Sequence, residues 1–136
     1  MTTKEVRTSR RRFTFHNANP KGKLRAADCV PRAISTATGI SWEEATRVLT
    51  EEAIKQYAVL NEKSVYDKWL TQNGWTKNKQ PRKADNTKYT VEEFAAINDK
   101  GTYVVGVANH LTVVVDGQIL DTWNCSYKTV GNYWSK

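Results

Sequence analysis

Residues 101–123 read GTYVVGVANHLTVVVDGQILDTW. Thr102–Val107 and Leu111–Val115 are rich in β-branched residues, which suit a pleated, half-buried or buried surface. Asp116-Gly117 is a tight-turn signal, because both residues tolerate the left-handed backbone that a two-residue hairpin loop requires. Gln118–Trp123 is then expected as the returning strand. With a two-residue loop at 116–117, position 110 falls opposite 123 and position 112 opposite 121. Three successive antiparallel strands are therefore predicted for the C-terminal third.

Upstream of Gly101 the period is helical. Asp28 can cap a helix through Val30, Ala33, Ile34 and Ala37, with Pro31 tolerated in its first turn and Gly39 as its stop. Ser41-Trp-Glu-Glu44 is a capping box opening a second helix towards residue 57. Ser64 is expected to open a third, with Val65, Trp69 and Leu70 on one face and Gly74 as its end. Thr90-Val-Glu-Glu93 is a further capping box, with Phe94 and Ile97 facing inward. Arg12–His16 alternates Phe13 and Phe15 with polar neighbours, a short edge strand at best. Helices first and an antiparallel sheet afterwards define an α+β fold.

The 136 residues suit one domain spanning 1–136, and 39% hydrophobic against 26% charged residues is a globular balance. No apolar run approaches the roughly 20 residues of a membrane-spanning helix, so no membrane association is expected. The basic N-terminus carries no apolar segment after it, so no secretory signal is expected and the cytoplasm is the expected location. Cys29 and Cys125 are expected to remain free thiols there. The charge is uneven. Residues 1–32 hold nine Lys/Arg against Glu5 and Asp28, so the entire net +7 lies in that segment. Residues 1–11 read as a flexible basic arm able to contact nucleic acid or an acidic partner.

The residues that could carry chemistry are Cys29, His110 and Asp121. A thiol at a helix N-terminus meets unpaired N–H groups and the positive end of the helix dipole, which favour the thiolate. Arg32 adds to that effect and Asp28 opposes it. His110 lies at a strand junction, at the edge of an apolar sheet, within reach of a helix packed on it. In the expected register Asp121 is its diagonal neighbour, about 7–8 Å away between backbones, a gap two side chains can close. Together they form a relay in which His110 withdraws the thiol proton and Asp121 fixes the ring's tautomer.

Asp28-Cys29-Val30-Pro31-Arg32-Ala33-Ile34 opening a helix, then Asn109-His110-Leu111, then Asp121-Thr122-Trp123, resembles papain-like cysteine peptidases. Those proteins share the order of Cys on a helix N-terminus, His on a strand and Asn or Asp on the next. The whole pattern resembles a group of small, mostly uncharacterised papain-like proteins of bacteriophages and Gram-positive bacteria, over roughly Asn17–Trp134. The resemblance implies a papain-like fold and a hydrolase or peptidase acting on a peptide or protein through a thioester acyl-enzyme. Papain-like enzymes usually carry a Gln oxyanion donor several residues before the nucleophile. Lys21–Arg25 has none, which leaves Asn19 as the expected donor, with the backbone N–H of Cys29. Asn124 is the reserve for the third member, and Cys125 is expected to be a bystander.

Three other readings share these residues. One keeps the fold without catalysis, as a binding or inhibitor protein using the basic arm or the Trp75–Lys83 stretch, where aromatics interleave with Lys/Arg. A second uses the same three residues for transferase or deamidase chemistry. A third is a metal site from His16, Cys29, His110 and Cys125, which lacks the close ligand pairs that zinc sites bring. No metal and no cofactor are expected.

Overall fold

In a computed structural model, which describes residues 12–136, the chain runs β1 (Phe13–Phe15), α1 (Cys29–Thr38), α2 (Trp42–Gln56), α3 (Lys63–Gln72), β2 (Thr76–Asn78), α4 (Val91–Ile97), β3 (Thr102–Val107), β4 (His110–Val115), β5 (Gln118–Asp121) and β6 (Tyr133–Ser135). The fold is α+β. The basic segment 1–11, read from sequence as a flexible arm, lies outside the described residues.

β3, β4 and β5 form the expected meander. Val107 pairs with His110 across a two-residue connection, and Val115 with Gln118 across Asp116-Gly117, whose φ values of 48° and 78° are both left-handed. The apolar runs of β3 and β4 do not alternate with polar residues because both faces of the sheet are covered. On one face Val104, Leu111, Val113 and Trp134 pack with Ile34 of α1, Leu49 of α2, and Val65 and Leu70 of α3. On the other, Val105, Val114 and Ile119 pack with Val91 and Phe94 of α4 and with Cys125 and Val130.

The sheet is larger and more mixed than the sequence suggests. It has six strands in the order β1-β5-β4-β3-β6-β2. β1 is an edge strand, yet it runs parallel to β5, so the expectation of a purely antiparallel sheet is corrected. β6 inserts between β3 and β2 and brings Trp134 to full burial. The Trp75–Lys83 stretch, read as a charged loop or binding surface, supplies β2, and Trp75 is 4% exposed in the core.

Several caps also differ from expectation. Asp28 occupies the N-cap of α1, but its carboxylate makes no cap bond, because Asn19, Arg32 and Trp42 hold it. At α2, Ser41 accepts from the Glu44 N–H, while the Glu44 carboxylate pairs with Arg47 rather than closing the box. α3 starts at Lys63 after Glu62, not at Ser64; it runs to Gln72 with Asn73 as its C-cap, and Gly74, the expected stop, follows in the left-handed conformation at φ 89°. Thr90 and Glu93 form the full reciprocal box of α4. Phe94 is buried as expected, but Ile97 is 61% exposed, since α4 ends there and turns its last residue to solvent. No helix among the described residues is long and apolar enough to cross a membrane.

Candidate functional site

Cys29 is the first residue of α1, placed there by the Asp28–Arg32 backbone bond that starts the helix, with Pro31 needing no donor in that turn. Its thiol is partly exposed and lines a cavity with His110 and Leu111, both of which stabilise its thiolate. His110 opens β4 directly after Asn109, whose φ of 58° makes the corner. Its Nε2 lies 2.6 Å from Asp121 Oδ2, which leaves Nδ1 for the thiol. The register that brings Asp121 within diagonal reach is the expected one. β5, however, ends at Asp121 rather than Trp123, because Asp121 Oδ1 accepts from the Thr122 N–H at 2.7 Å and the Trp123 N–H at 3.3 Å and turns the chain. That turn lays the Trp123 ring edge-on against His110, with centroids 4.9 Å apart at 82°.

The electrostatics run through one buried chain of charges. Arg32 Nε donates to Asp28 Oδ1 at 2.8 Å, and its Nη1 donates to Asp121 Oδ1 at 3.2 Å and to Thr122 Oγ1 at 3.1 Å. Burial would push the Asp121 carboxyl up, but His110 above all, with the Thr122 N–H, holds it below its ordinary value. Burial would likewise push the His110 proton off, yet hydrogen bonds to Asp121 and Cys29 and their charges raise it to about 9. For Cys29, burial favours the thiol, while the His110 and Leu111 bonds and the His110 and Arg32 charges outweigh it and lower its pKa. These shifts favour a thiolate–imidazolium pair, the activated form of a cysteine nucleophile.

A cavity of about 360 Å³ opens at the thiol, lined by Cys29, Asn61, Lys63, Tyr66, His110 and Leu111 among others. It adjoins a second of about 320 Å³ through the shared Lys63, Tyr66 and Val107, extending towards Asn132 and Lys88. The two together form an open groove with the sulfur at one end.

Cys29, His110 and Asp121 are thus brought together. Asn19, the expected oxyanion donor, is turned away: its Nδ2 donates to Asp28 Oδ2 at 3.0 Å, its Oδ1 accepts from the Lys21 N–H, and it does not line the cavity at the thiol. Two spent bonds make it a support for the N-cap carboxylate. Asn124, the reserve third member, is exposed, with its Oδ1 turned to the Ser126 N–H. Cys125 is free and fully buried, and burial with the Asp121 charge pushes its thiol up to about 12. Among the described residues, His110, Asp121 and Cys125 have ligating atoms within 4.8 Å of one another. A protonated Cys125 and the Arg32 cation already on Asp121 make this a poor cation site; neither His16 nor Cys29 belongs to it.

Sequence reasoning missed the full part of Arg32. Its spacing of four from Asp28 was visible, but the Asp121 contact, 89 residues away, was not. Tyr66 on α3 and Asn61 in the turn before it had no sequence signal, since this segment approaches the thiol only through helix packing. Compared with known proteins, the chain matches no family model, no curated protein and no solved structure.

Proposed function

We propose that this chain is a papain-like cysteine hydrolase, a peptidase or amidase working by acyl transfer through Cys29, His110 and Asp121. The observation that carries the reading is the continuous relay from a thiol at a helix N-terminus, through His110, to a buried carboxylate 2.6 Å from Nε2. The groove at the sulfur, with room for an extended substrate, adds to it.

In this reading the Cys29 thiolate attacks a carbonyl carbon, and the π pair moves onto oxygen. His110 gives its proton to the leaving amine as the C–N bond breaks, leaving a thioester. The neutral ring then takes a proton from water, which attacks the thioester and releases the acid. Expulsion of the thiolate restores the ion pair. Asp121 keeps Nε2 engaged throughout, so Nδ1 always faces the sulfur. Trp123, edge-on against the His110 ring, helps hold the ring in that orientation.

The test is the rate of Cys29 alkylation by iodoacetamide from about pH 4 to about 10, where only the thiolate reacts. Cys29→Ala gives the background from Cys125, and His110→Ala removes the partner. Rapid alkylation well below pH 8 that His110→Ala abolishes is the expected result. A Cys29 that titrates near 9.0, the ordinary value, with or without His110, sinks the reading.

A further inference from the structure

Attack on a carbonyl puts a negative charge on an oxygen two bonds from the sulfur, so a donor must stand near the thiolate without being bonded to it. One is supplied by α1. Arg32 is the first residue of the helix whose N–H bonds within it, and the Cys29 N–H has no partner among the described residues. A second donor is needed, and Asn19 is committed to Asp28.

Tyr66 is the candidate. It lies in the lining of the cavity at Cys29. The residue as a whole is only 9% exposed, while its hydroxyl, with no hydrogen bond to another described residue, is not among the buried unpartnered atoms and so is free to face the cavity. Its ring is fixed edge-on against Trp134, with centroids 5.4 Å apart at 72°, and Trp134 is in turn fixed by donating Nε1 to Asp67 at 2.8 Å. The hydroxyl is therefore preorganised, held by packing rather than by a bond that the reaction would have to break. Burial above all, then the Cys29 and Asp67 charges, raise its pKa to about 12, so it stays protonated throughout the working range of the pair.

We infer that the Tyr66 hydroxyl is a catalytic residue, the side-chain donor of the oxyanion hole, acting with the Cys29 N–H. This rests on the acyl-transfer reading above. The tyrosine keeps its proton: the O–H donates to the developing oxyanion, and proton transfer to the leaving group remains the work of His110. Asn61, also on the cavity wall, is the competing donor; it is exposed, and its Nδ2 faces the Ala27 carbonyl at 3.5 Å.

Two reagents separate this role from a packing role. Iodoacetamide alkylates the thiolate by displacement, with no oxyanion; p-nitrophenyl acetate acylates it through a tetrahedral intermediate. The full chain, Tyr66→Phe and Asn61→Ala are each reacted with both at about pH 7. Loss of one oxyanion donor costs on the order of 10²–10³ in rate, so Tyr66→Phe is expected to lower ester acylation at least about tenfold while alkylation changes less than about twofold. Retained alkylation also shows that the variant is folded. The inference is overturned if the two rates fall in parallel, if neither changes, or if ester acylation falls in Asn61→Ala and not in Tyr66→Phe. Failure of the triad reading looks different: wild-type alkylation is then slow at about pH 6 and indifferent to His110→Ala, and the inference falls with it.

Discussion

Arg32 ties the nucleophile's helix to the strand that carries the third member. Its guanidinium spans Asp28 at the N-cap of α1 and Asp121 at the end of β5, with its side chain only 12% exposed. Lysine keeps the charge but not the fork, so it reaches one carboxylate and leaves the other buried without its cation. Arg32→Lys is expected to lose about 2 kcal/mol in urea unfolding, the scale of one charge-assisted hydrogen bond. At Asp121 the outcome is chemical rather than structural. Asp121→Asn keeps the shape but removes the charge that holds the proton on His110, so His110 should titrate nearer 6.5 than about 9. With the imidazolium less stable, the Cys29 pKa returns towards 9.0. Each unit of that return lowers the thiolate fraction tenfold, so alkylation at about pH 6 is expected to drop at least tenfold. Unchanged alkylation would remove Asp121 from the relay.

At the scale of elements, the Asp116-Gly117 turn sets the register on which the site depends. A one-residue slip would put Asp121 on the opposite face of β5. A Cβ on Gly117 would meet Asp99 Cα at 3.3 Å and Arg12 Nη1 at 3.2 Å, on a residue whose φ is +78°. Gly117→Ala is expected to cost about 1–3 kcal/mol in urea unfolding, while the pH profile of Cys29 alkylation in the folded protein stays put. A shifted profile would mean that the turn had changed register and carried Asp121 away. This hairpin was legible in the sequence because its signals are local: β-branched runs on either side of an Asp-Gly pair. The α1 start was legible for the same reason, from Asp28, Cys29 and Pro31. β2 and β6 were not, since three-residue strands such as Thr76–Asn78 and Tyr133–Ser135 show no period and exist only through their partners. Likewise Phe13–Phe15 reads as a strand, but nothing local says that it will run parallel to one more than a hundred residues later. The donor failed for a related reason: Asn19 is near Cys29 in sequence, while Tyr66 reaches the thiol only when α3 docks.

In the whole molecule the site lies where the two cores meet. Cys29 packs against the cluster built by α1, α2 and α3, and Asp121 bonds Cys125, which belongs to the cluster backed by α4. The His110 proton therefore couples ionisation to folding, and the coupling has a readable sign. A histidine whose folded pKa is raised contributes stability that is fully present below its unfolded value, about 6.5, and is lost as pH rises through about 9. Cys29 works oppositely: its folded pKa is lowered, so its contribution is present above about 9.0 and lost as pH falls through the folded value. If both are ionised together, the native chain gains the imidazole proton and loses the thiol proton relative to the unfolded chain between these limits. The two chains then bind equal numbers of protons, and wild-type stability is expected to be nearly flat from about pH 6.5 to about 9. In Cys29→Ala only the histidine remains, with Asp121 still raising its pKa. Stability there should fall with rising pH, by up to about 1.4 kcal/mol per unit until the His110 proton leaves. Urea unfolding of both proteins across this range reads the difference directly. A flat wild type beside a sloping Cys29→Ala is the signature of the ion pair. Equal slopes in the two would mean that Cys29 stays a thiol beside a charged His110, a state in which the relay holds no activated nucleophile.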